Sequence, residues 1–375
     1  MRYQILAPIA MALLATPAAF PVDEVTPDRH IVFRIFAPKA QAVAVFSSDI
    51  FATAAKAEMK KAESGLWEVT IGPINPGAYR YNFNVDDVAV LDPGNPSTSE
   101  SLMNAWSMVY VPGADFMETK DVPHGAVASV TYYSKSLGKF RRMHVYTPPG
   151  YETSSQKYPI LYLLHGAGDS DHSWTSVGRA GFIIDNLMAA KKAKPMVIVM
   201  PAGHTEPFRP LATRLQAPDF NDDFVKDFNN DILPYAETHY RILRDREHRA
   251  MAGLSMGGAH ALEIAFSHSR EFAYVGVFSS GIIGIVSLGF PEFPVANPSW
   301  EQRHLAELDN AAAKKDLKLF WFSTGKDDFL LKTTKATLEV FQKHGYNPVF
   351  QESAGAHTWT NWREYLNQFA PQLFQ

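Results

Sequence analysis

Three kinds of side chain, each directly behind a hydrophobic run, could do chemistry together in this chain. Ser255 lies in Gly253-Leu254-Ser255-Met256-Gly257, a G-x-S-x-G pentapeptide. Asp327 and Asp328 follow the apolar run 319–323 through Thr324-Gly325-Lys326, and His357 follows the run 348–352 through Ser353-Ala354-Gly355-Ala356. A serine hydroxyl is a weak nucleophile at neutral pH, so it needs a base within hydrogen-bond reach and a third group to orient that base. Serine, then acid, then histidine, each emerging at the carboxyl end of its own strand, is a chain order that can supply all three. Taken singly each is ambiguous: Ser255 could be an ordinary turn serine, and His357 is one of thirteen histidines. Their joint order carries the reading.

Such a serine needs a strand before it and a helix after it. The segment 248–252 (HRAMA) is short and partly apolar, and 258–268 (GAHALEIAFSH) places Ala261, Leu262, Ala265 and Phe266 at helical spacing. The flanking glycines would let strand and helix pass without a Cβ clash, leaving the serine exposed at a strained turn. The amide of Met256 and the start of the helix would then face any anion forming beside the serine. A second donor is expected from Leu163-Leu164-His165-Gly166-Ala167-Gly168, which follows another apolar run. The amide of either Gly166 or Ala167 can serve. His165 is read as a residue of this loop, at most lining a substrate site, because His357 fits the order better as base.

Behind these residues stand elements of two kinds. From His30 to about Val111, short alternating runs (32–36, 43–46, 67–71, 79–85, 107–111) are broken by Ser64-Gly65, Asn75-Pro76-Gly77 and Asp92-Pro93-Gly94-Asn95-Pro96, the pattern of a small β-sandwich over 27–115. No catalytic cluster falls in it, which implies that the rest of the chain carries the chemistry without it. Trp67, Tyr79, Tyr81 and Trp106 could stack on sugars, although at strand spacing they read first as core aromatics. Residues 116–125 (FMETKDVPHG) form the expected linker. From 126 onward the signals change to a hairpin around Ser136-Leu137-Gly138, a continuous apolar strand at 158–164, and then alternating helices and strands: helix 182–192, strand 196–200, helix 224–239, strands 274–278 and 319–323, helix 333–344, strand 348–352 and a last helix from Thr360. That alternation predicts an α/β domain over 126–375, with a mostly parallel sheet and helices on both faces. The Gly- and Pro-rich stretch 280–300 is a long connection that suits a pocket wall or a plain surface loop.

Composition bounds the function. With 375 residues, 46% hydrophobic and 20% charged, the chain is comfortable for two domains and able to bury a large core. A net charge of −4 leaves no basic footprint for nucleic acid. The absence of cysteine excludes thiolate catalysis, disulfides and Cys-zinc sites. No H-E-x-x-H or other histidine and carboxylate cluster has ligand spacing, so neither metal nor cofactor is expected. Residues 1–19 combine Arg2, an apolar run from Ile5 to Ala15 and small residues, the form of a secretory signal cleaved near Ala18 or Ala19. Export, with no membrane association after cleavage, is the expectation.

Several stretches resemble known families. VFRIFAPKAQAVAVF, GLWEVTIGPINPGAYRYNFNVDD and LDPGNP are similar to the early-set immunoglobulin-like domain that precedes the catalytic domain of many bacterial carbohydrate esterases. LYLLHGAGDSDHSWTSVGRA, KPMVIVMPAGH, GLSMGG with FAYVGVFSSG, FWFSTGKDDFLL and GAHTWTNWREYL resemble the esterase D or feruloyl esterase family of α/β-hydrolases, from about Tyr132 to the C-terminus. The resemblance implies Ser255 as nucleophile, His357 as general base and Asp328 as orienting acid, since the family places its acid three positions after the glycine. It also sets Trp174 near the acyl or leaving-group pocket, where packing is an equal alternative. The implied substrate is an ester-decorated polysaccharide or oligosaccharide, a feruloyl ester first. The alternatives are an acetylxylan or other carbohydrate acetyl ester, an enterochelin-type siderophore ester, and a carbohydrate-binding protein on an inactive hydrolase scaffold.

Overall fold

The structure, a computed structural model, describes residues 23–51, 56–205, 222–267, 271–287 and 299–375. The expected signal segment 1–19 lies outside them, as does most of the connection 280–300. Among the described residues no helix is long and apolar enough to cross a membrane.

Eight strands form the large sheet: Ala126–Ser134, Lys139–Thr147, Ile160–Leu164, Val197–Pro201, Arg249–Leu254, Tyr274–Phe278, Leu319–Gly325 and Val349–Ser353. Counted along the chain, they stand across the sheet in the order 1-2-4-3-5-6-7-8. The first two pair as an antiparallel hairpin and the second runs antiparallel to the fourth. Every later pairing is parallel. The central strands are buried along their whole length, which is why they read as unbroken apolar runs and not as alternating ones.

Alternate side chains still feed separate cores. Tyr162, Val199, Met251, Val277 and Phe322 point to one face, with Phe224, Phe228, Ile232 and Ala236 of the helical stretch 222–239, Ala261 and Leu262 of helix Met256–Ser267, and Leu338 and Phe341 of helix Leu331–Lys343. Leu161, Leu163, Ile198, Ala252, Phe278 and Trp321 point to the other, under helices Ala180–Ala189 and Trp359–Phe369. Covering both faces with helices this way leaves the carboxyl edge of the sheet for loops.

The N-terminal part is a two-sheet sandwich. Glu24–Val25, Ile31–Phe36, Leu66–Ile71 and Lys60–Lys61 form one sheet. Lys56–Glu58, Val43–Phe46, Gly77–Val85, Ala105–Val111 and Thr98–Glu100 form the other, with Val88–Val90 beside Gly77–Val85. Phe33, Val45, Trp67, Tyr79, Tyr81, Phe83 and Val109 fill the space between them. Trp67, Tyr79 and Tyr81 are therefore core residues whose polar tips are satisfied inside, by Ala37 O, Asn75 O and the Asp92 carboxylate. Of the four aromatics considered for sugar stacking, only Trp106 keeps appreciable exposure, and it stacks on half-exposed Phe46 with ring centroids 5.8 Å apart.

The connection at 116–125 does not hang free. Its Met117 carbonyl accepts from Arg179 Nε, Asn186 Nδ2 donates to the carbonyls of Phe116 and Glu118, and the Gly125 amide donates to Asp185.

Candidate active site

Strand Arg249–Leu254 ends at Ser255, which takes a left-handed backbone with φ of +51°, and helix Met256–Ser267 starts at the next residue. A non-glycine side chain in that region costs on the order of 1 kcal/mol or more, and persists only where its surroundings enforce it. Here they do. The Ser255 amide donates to Phe278 O on the neighbouring strand, and its carbonyl accepts from the amides of Gly258 and Ala259 and from Ser280 Oγ at 2.5 Å. A Cβ on Gly253 would overlap the Gly257 carbonyl, and one on Gly257 would lie 2.6 Å from the carbonyl oxygens of Leu164 and His165. The glycines of the pentapeptide are thus demanded by close approach, and the turn holds Ser255 half-exposed.

The loop after strand Ile160–Leu164 passes directly alongside. A Cβ built on Gly166 would stand 3.4 Å from Ser255 Cβ and clash with Leu254. His165 is buried and fixes this loop from below: its Nδ1 donates to Gly166 O at 2.8 Å while its Nε2 accepts from the Gly203 amide at 2.8 Å. Burial pushes its pKa down, so it sits as a neutral tautomer with both nitrogens engaged. That is a structural tie between this loop and the one after strand Val197–Pro201. Met256 stands at the first turn of its helix, where backbone N–H groups have no intrahelical acceptor. Gly166 and the start of the Met256 helix therefore both stand next to Ser255.

His357 and Asp328 meet on the two following loops. The His357 Nδ1 lies 2.9 and 3.0 Å from the two Asp328 oxygens; a carboxylate only accepts, so Nδ1 carries the proton and Nε2 faces away. Asp328 is buried and Asp327, one residue earlier, is exposed with its amide on Gly355 O. Burial alone would raise the Asp328 pKa. The His357 hydrogen bond and charge, the Leu330 amide and the Ser279 hydroxyl outweigh it and hold the carboxyl below its ordinary value. Phe329, more than half exposed, lies 4.6 Å from the His357 ring, and Trp362 meets that ring edge-on at 5.0 Å.

Ser279 and Ser280 sit between the two halves of the site, one beside Asp328 and the other on the Ser255 carbonyl. Their motif, FAYVGVFSSG, is visible in the sequence, but serines after a strand give no signal of what they support. Trp174 is 1% exposed, donates its indole N–H to Leu164 O, and packs edge-on against Trp359 at 5.1 Å. Of its two expected roles, this placement supports packing beneath the loop.

The loop 166–179 also meets the sandwich. Arg80 Nη1 reaches Asp169 at 2.7 Å, the Leu102 amide donates to Gly168 O, Ser99 and Ser176 share a hydrogen bond of 2.8 Å, and the hydroxyls of Ser170 and Ser173 both donate to Glu100 O. Buried Arg363 ties Ala78 O to Val177 O. The partners in these contacts lie far apart in sequence, 89 positions for Arg80 and Asp169 and 285 for Ala78 and Arg363, and no local pattern announces them.

A sheet with this strand order, a left-handed serine at its central strand-to-helix junction and a histidine–carboxylate pair at the same edge define an α/β-hydrolase. Residues 134–373 match the family described as putative esterase, and this chain belongs to that family. Residues 21–107 match carbohydrate-binding module 48, the isoamylase N-terminal domain. An endo-1,4-beta-xylanase/feruloyl esterase of Xylanibacter ruminicola is 30% identical over 354 residues, covering 92% of this chain and 44% of that enzyme. The chain thus spans less than half the length of this relative. The CE1 ferulic acid esterase from Anaeromyces mucronatus, solved in complex with ferulic acid, is 26% identical, with a TM-score of 0.60 over 70% of this chain and 96% of that one. The enterobactin esterase of Shigella flexneri reaches a TM-score of 0.65 over 95% of this chain and 97% of its own, at 17% identity, a likeness of fold.

Proposed function

We propose that this protein is a serine carboxylic-ester hydrolase that cleaves feruloyl esters of plant polysaccharide outside the cytoplasm. The observation that carries the reaction type is Ser255 in a left-handed turn beside the Gly166 loop, with the His357–Asp328 pair on the next loops of the same sheet edge. The xylanase/feruloyl esterase relative and the ferulic acid esterase fold support the acyl group. The signal-like composition of residues 1–19 supports export.

In this reading His357 takes the Ser255 proton through Nε2 as the hydroxyl attacks the ester carbonyl. The Met256 amide and one of Gly166 or Ala167 stabilise the oxyanion. Asp328 holds the imidazole in its tautomer and stabilises the imidazolium. The sugar alcohol leaves with the proton from His357, and water repeats the sequence on the acyl-serine, releasing the acid and restoring the enzyme. Exposed Phe329, next to the His357 ring, is placed to cover one side of an aromatic acyl group.

Steady-state rates on methyl ferulate, acetylated xylan, p-nitrophenyl acetate and enterobactin test this directly. Methyl ferulate should show the highest kcat/KM. A preference of tenfold or so for acetylated xylan or enterobactin would overturn the acyl assignment, and no turnover of any ester would overturn the reaction type.

A further inference from the structure

We infer that Arg80, a residue of the N-terminal sandwich, is a positioning residue for the oxyanion loop of the catalytic domain. The inference rests on the reading of Ser255 as nucleophile and of the 166–167 segment as its anion donor.

Arg80 lies on strand Gly77–Val85. Asp49 grips one side of its guanidinium, accepting from Nε at 3.0 Å and Nη2 at 3.2 Å, and it also accepts the Arg80 amide at 3.0 Å. Nη1 is left pointing across the domain boundary, where it donates to Asp169 Oδ1 at 2.7 Å. The side chains of Arg80, Asp49 and Asp169 are only 12%, 11% and 7% exposed, so the triad is shielded from solvent and its geometry is stiff. Asp169 in turn closes the turn that holds the proposed donors: its amide donates to Gly166 O at 3.1 Å, so Ala167 and Gly168 are spanned by one hydrogen bond. The sandwich takes a second grip at the same place, through the Leu102 amide on Gly168 O and a bridge between Ser101 and Asp169. The Arg80 guanidinium carbon also stands 5.9 Å from the centre of the Trp359 ring, two residues beyond His357.

An oxyanion donor works only if its N–H is aimed before the charge develops. The segment Gly166-Ala167-Gly168 is intrinsically loose because two of its three residues are glycine, and its own strand fixes only one end. Arg80 and Asp169 fix the other. Without the guanidinium, Asp49 and Asp169 would remain as two shielded carboxylates near each other with their common cation gone, an arrangement that separates or takes up protons. Either response moves Asp169, and with it the turn that carries the donors. Arg80 touches no reacting atom; it acts through Asp169.

The test compares Arg80→Met, Arg80→Lys, Asp169→Asn and the Arg80→Met/Asp169→Asn double variant with Ser255→Ala and Asn186→Ala, all in the full chain. Asn186 ties the 116–118 segment to the catalytic domain without touching the loop. Thermal midpoints and kcat and KM on a soluble feruloyl ester are read for each. Arg80→Met should lower kcat by roughly 10- to 100-fold with KM changed less than about threefold, short of the 10²–10³ expected for deleting a donor outright. Arg80→Lys should recover part of that loss. The double variant should be no slower than the slower single one, because both act on one contact. Asn186→Ala should lower the midpoint and leave kcat alone. The inference is overturned if Arg80→Met and Asp169→Asn keep near-normal kcat while Ser255→Ala is inactive. It is also overturned if Asn186→Ala loses kcat in the same proportion to its midpoint. If Arg80→Met does not fold, Asp169→Asn, which keeps the shape and removes a charge, decides alone. Retained activity in Ser255→Ala would instead overturn the functional reading beneath it.

Discussion

The two sides of the site are held by different means. On the side of the proposed nucleophile, Ser255 is fixed mainly by backbone: a strand, a helix and glycines too crowded to be anything else. On the side of the proposed oxyanion donors, the Gly166 turn is fixed by side chains, from His165 within the domain and from Arg80 of the sandwich, with Ser101 and Leu102 adding backbone contacts. Backbone geometry enforced by sterics is a local property and survives changes far away. A loop buttressed by another domain is only as well placed as the interface. Substitutions on the first side should therefore spare the fold and remove the chemistry, and on the second they should loosen both.

The largest effect belongs to the nucleophile side. Ser255→Ala removes one oxygen and leaves every backbone contact of the turn, so it should keep the thermal midpoint and lose on the order of 10⁶ in kcat. Appreciable residual turnover would break the comparison at its root. Next in size is Asp328→Asn, expected to lower kcat by roughly 10³ to 10⁴ by favouring the wrong His357 tautomer, as the same acid-to-amide change does in a serine protease. Asp327→Asn, at an exposed position, should stay within about tenfold. The reverse order of these two in kcat assays would show that the Asp328–His357 contact is not the working one.

A smaller effect is expected from removing the sandwich. The lack of catalytic groups before residue 116 implies, on sequence alone, that the α/β part turns over small esters unaided. The interface argues otherwise: a chain beginning near residue 122 leaves Asp169 without Arg80, Gly168 O without Leu102, and buried Arg363 without Ala78 O. Such a truncation should melt lower and, even when folded, turn over p-nitrophenyl acetate more slowly by about the 10² that one misplaced oxyanion donor costs. Undiminished kcat in a folded truncation would mean that the loop holds itself.

The same contrast explains what can be read from the sequence. The pentapeptide, the HGAG loop and the two loops bearing Asp328 and His357 are local, and each follows a strand whose apolar run is visible in the sequence, most plainly where both sheet faces are covered. Helix Met256–Ser267 is legible from Ala261, Leu262, Ala265 and Phe266, all of which are buried. Choosing Asp328 over its neighbour needs a family pattern, since periodicity cannot tell which of two adjacent loop carboxylates turns inward. The choice among the sandwich aromatics turns on burial, which a strand's alternation indicates for Tyr79 and Tyr81 and leaves open for Trp106. Arg80 and Asp169 are not legible at all. Each looks like an ordinary surface charge until the fold brings two sheets together, and only three-dimensional proximity shows that they pair.

A pair remote from both sides should give the smallest effect on catalysis. On helix Met256–Ser267, which begins one residue after Ser255, the buried Glu263 lies 3.1 Å from His304 Nε2 and accepts the Trp300 indole N–H at 2.7 Å, while His304 Nδ1 lies 2.9 Å from Trp300 O. With an acceptor on each nitrogen, the doubly protonated imidazolium is the favoured form of His304. Burial lowers the His304 pKa, but the Glu263 hydrogen bond and charge outweigh this and raise it; burial raises that of Glu263, and His304 with Trp300 outweighs this and lowers it. A raised histidine contributes stability that is complete below its unfolded value and is lost as pH rises through the folded one. A lowered carboxylate contributes stability that is complete above its unfolded value and is lost as pH falls through the folded one. The pair should therefore stabilise most between about pH 4.3 and 6.5, the ordinary values of the two groups. Glu263→Gln should cost about 1–2 kcal/mol near pH 5.5, a few degrees in the thermal midpoint, and less at pH 8. Because Ser255 is fixed by sterics at the first turn and not by the far end of its helix, kcat on a soluble ester should stay within about twofold of wild type. A kcat loss well beyond that, at a temperature where the variant is folded, would mean that the elbow depends on distant side chains as the oxyanion loop does.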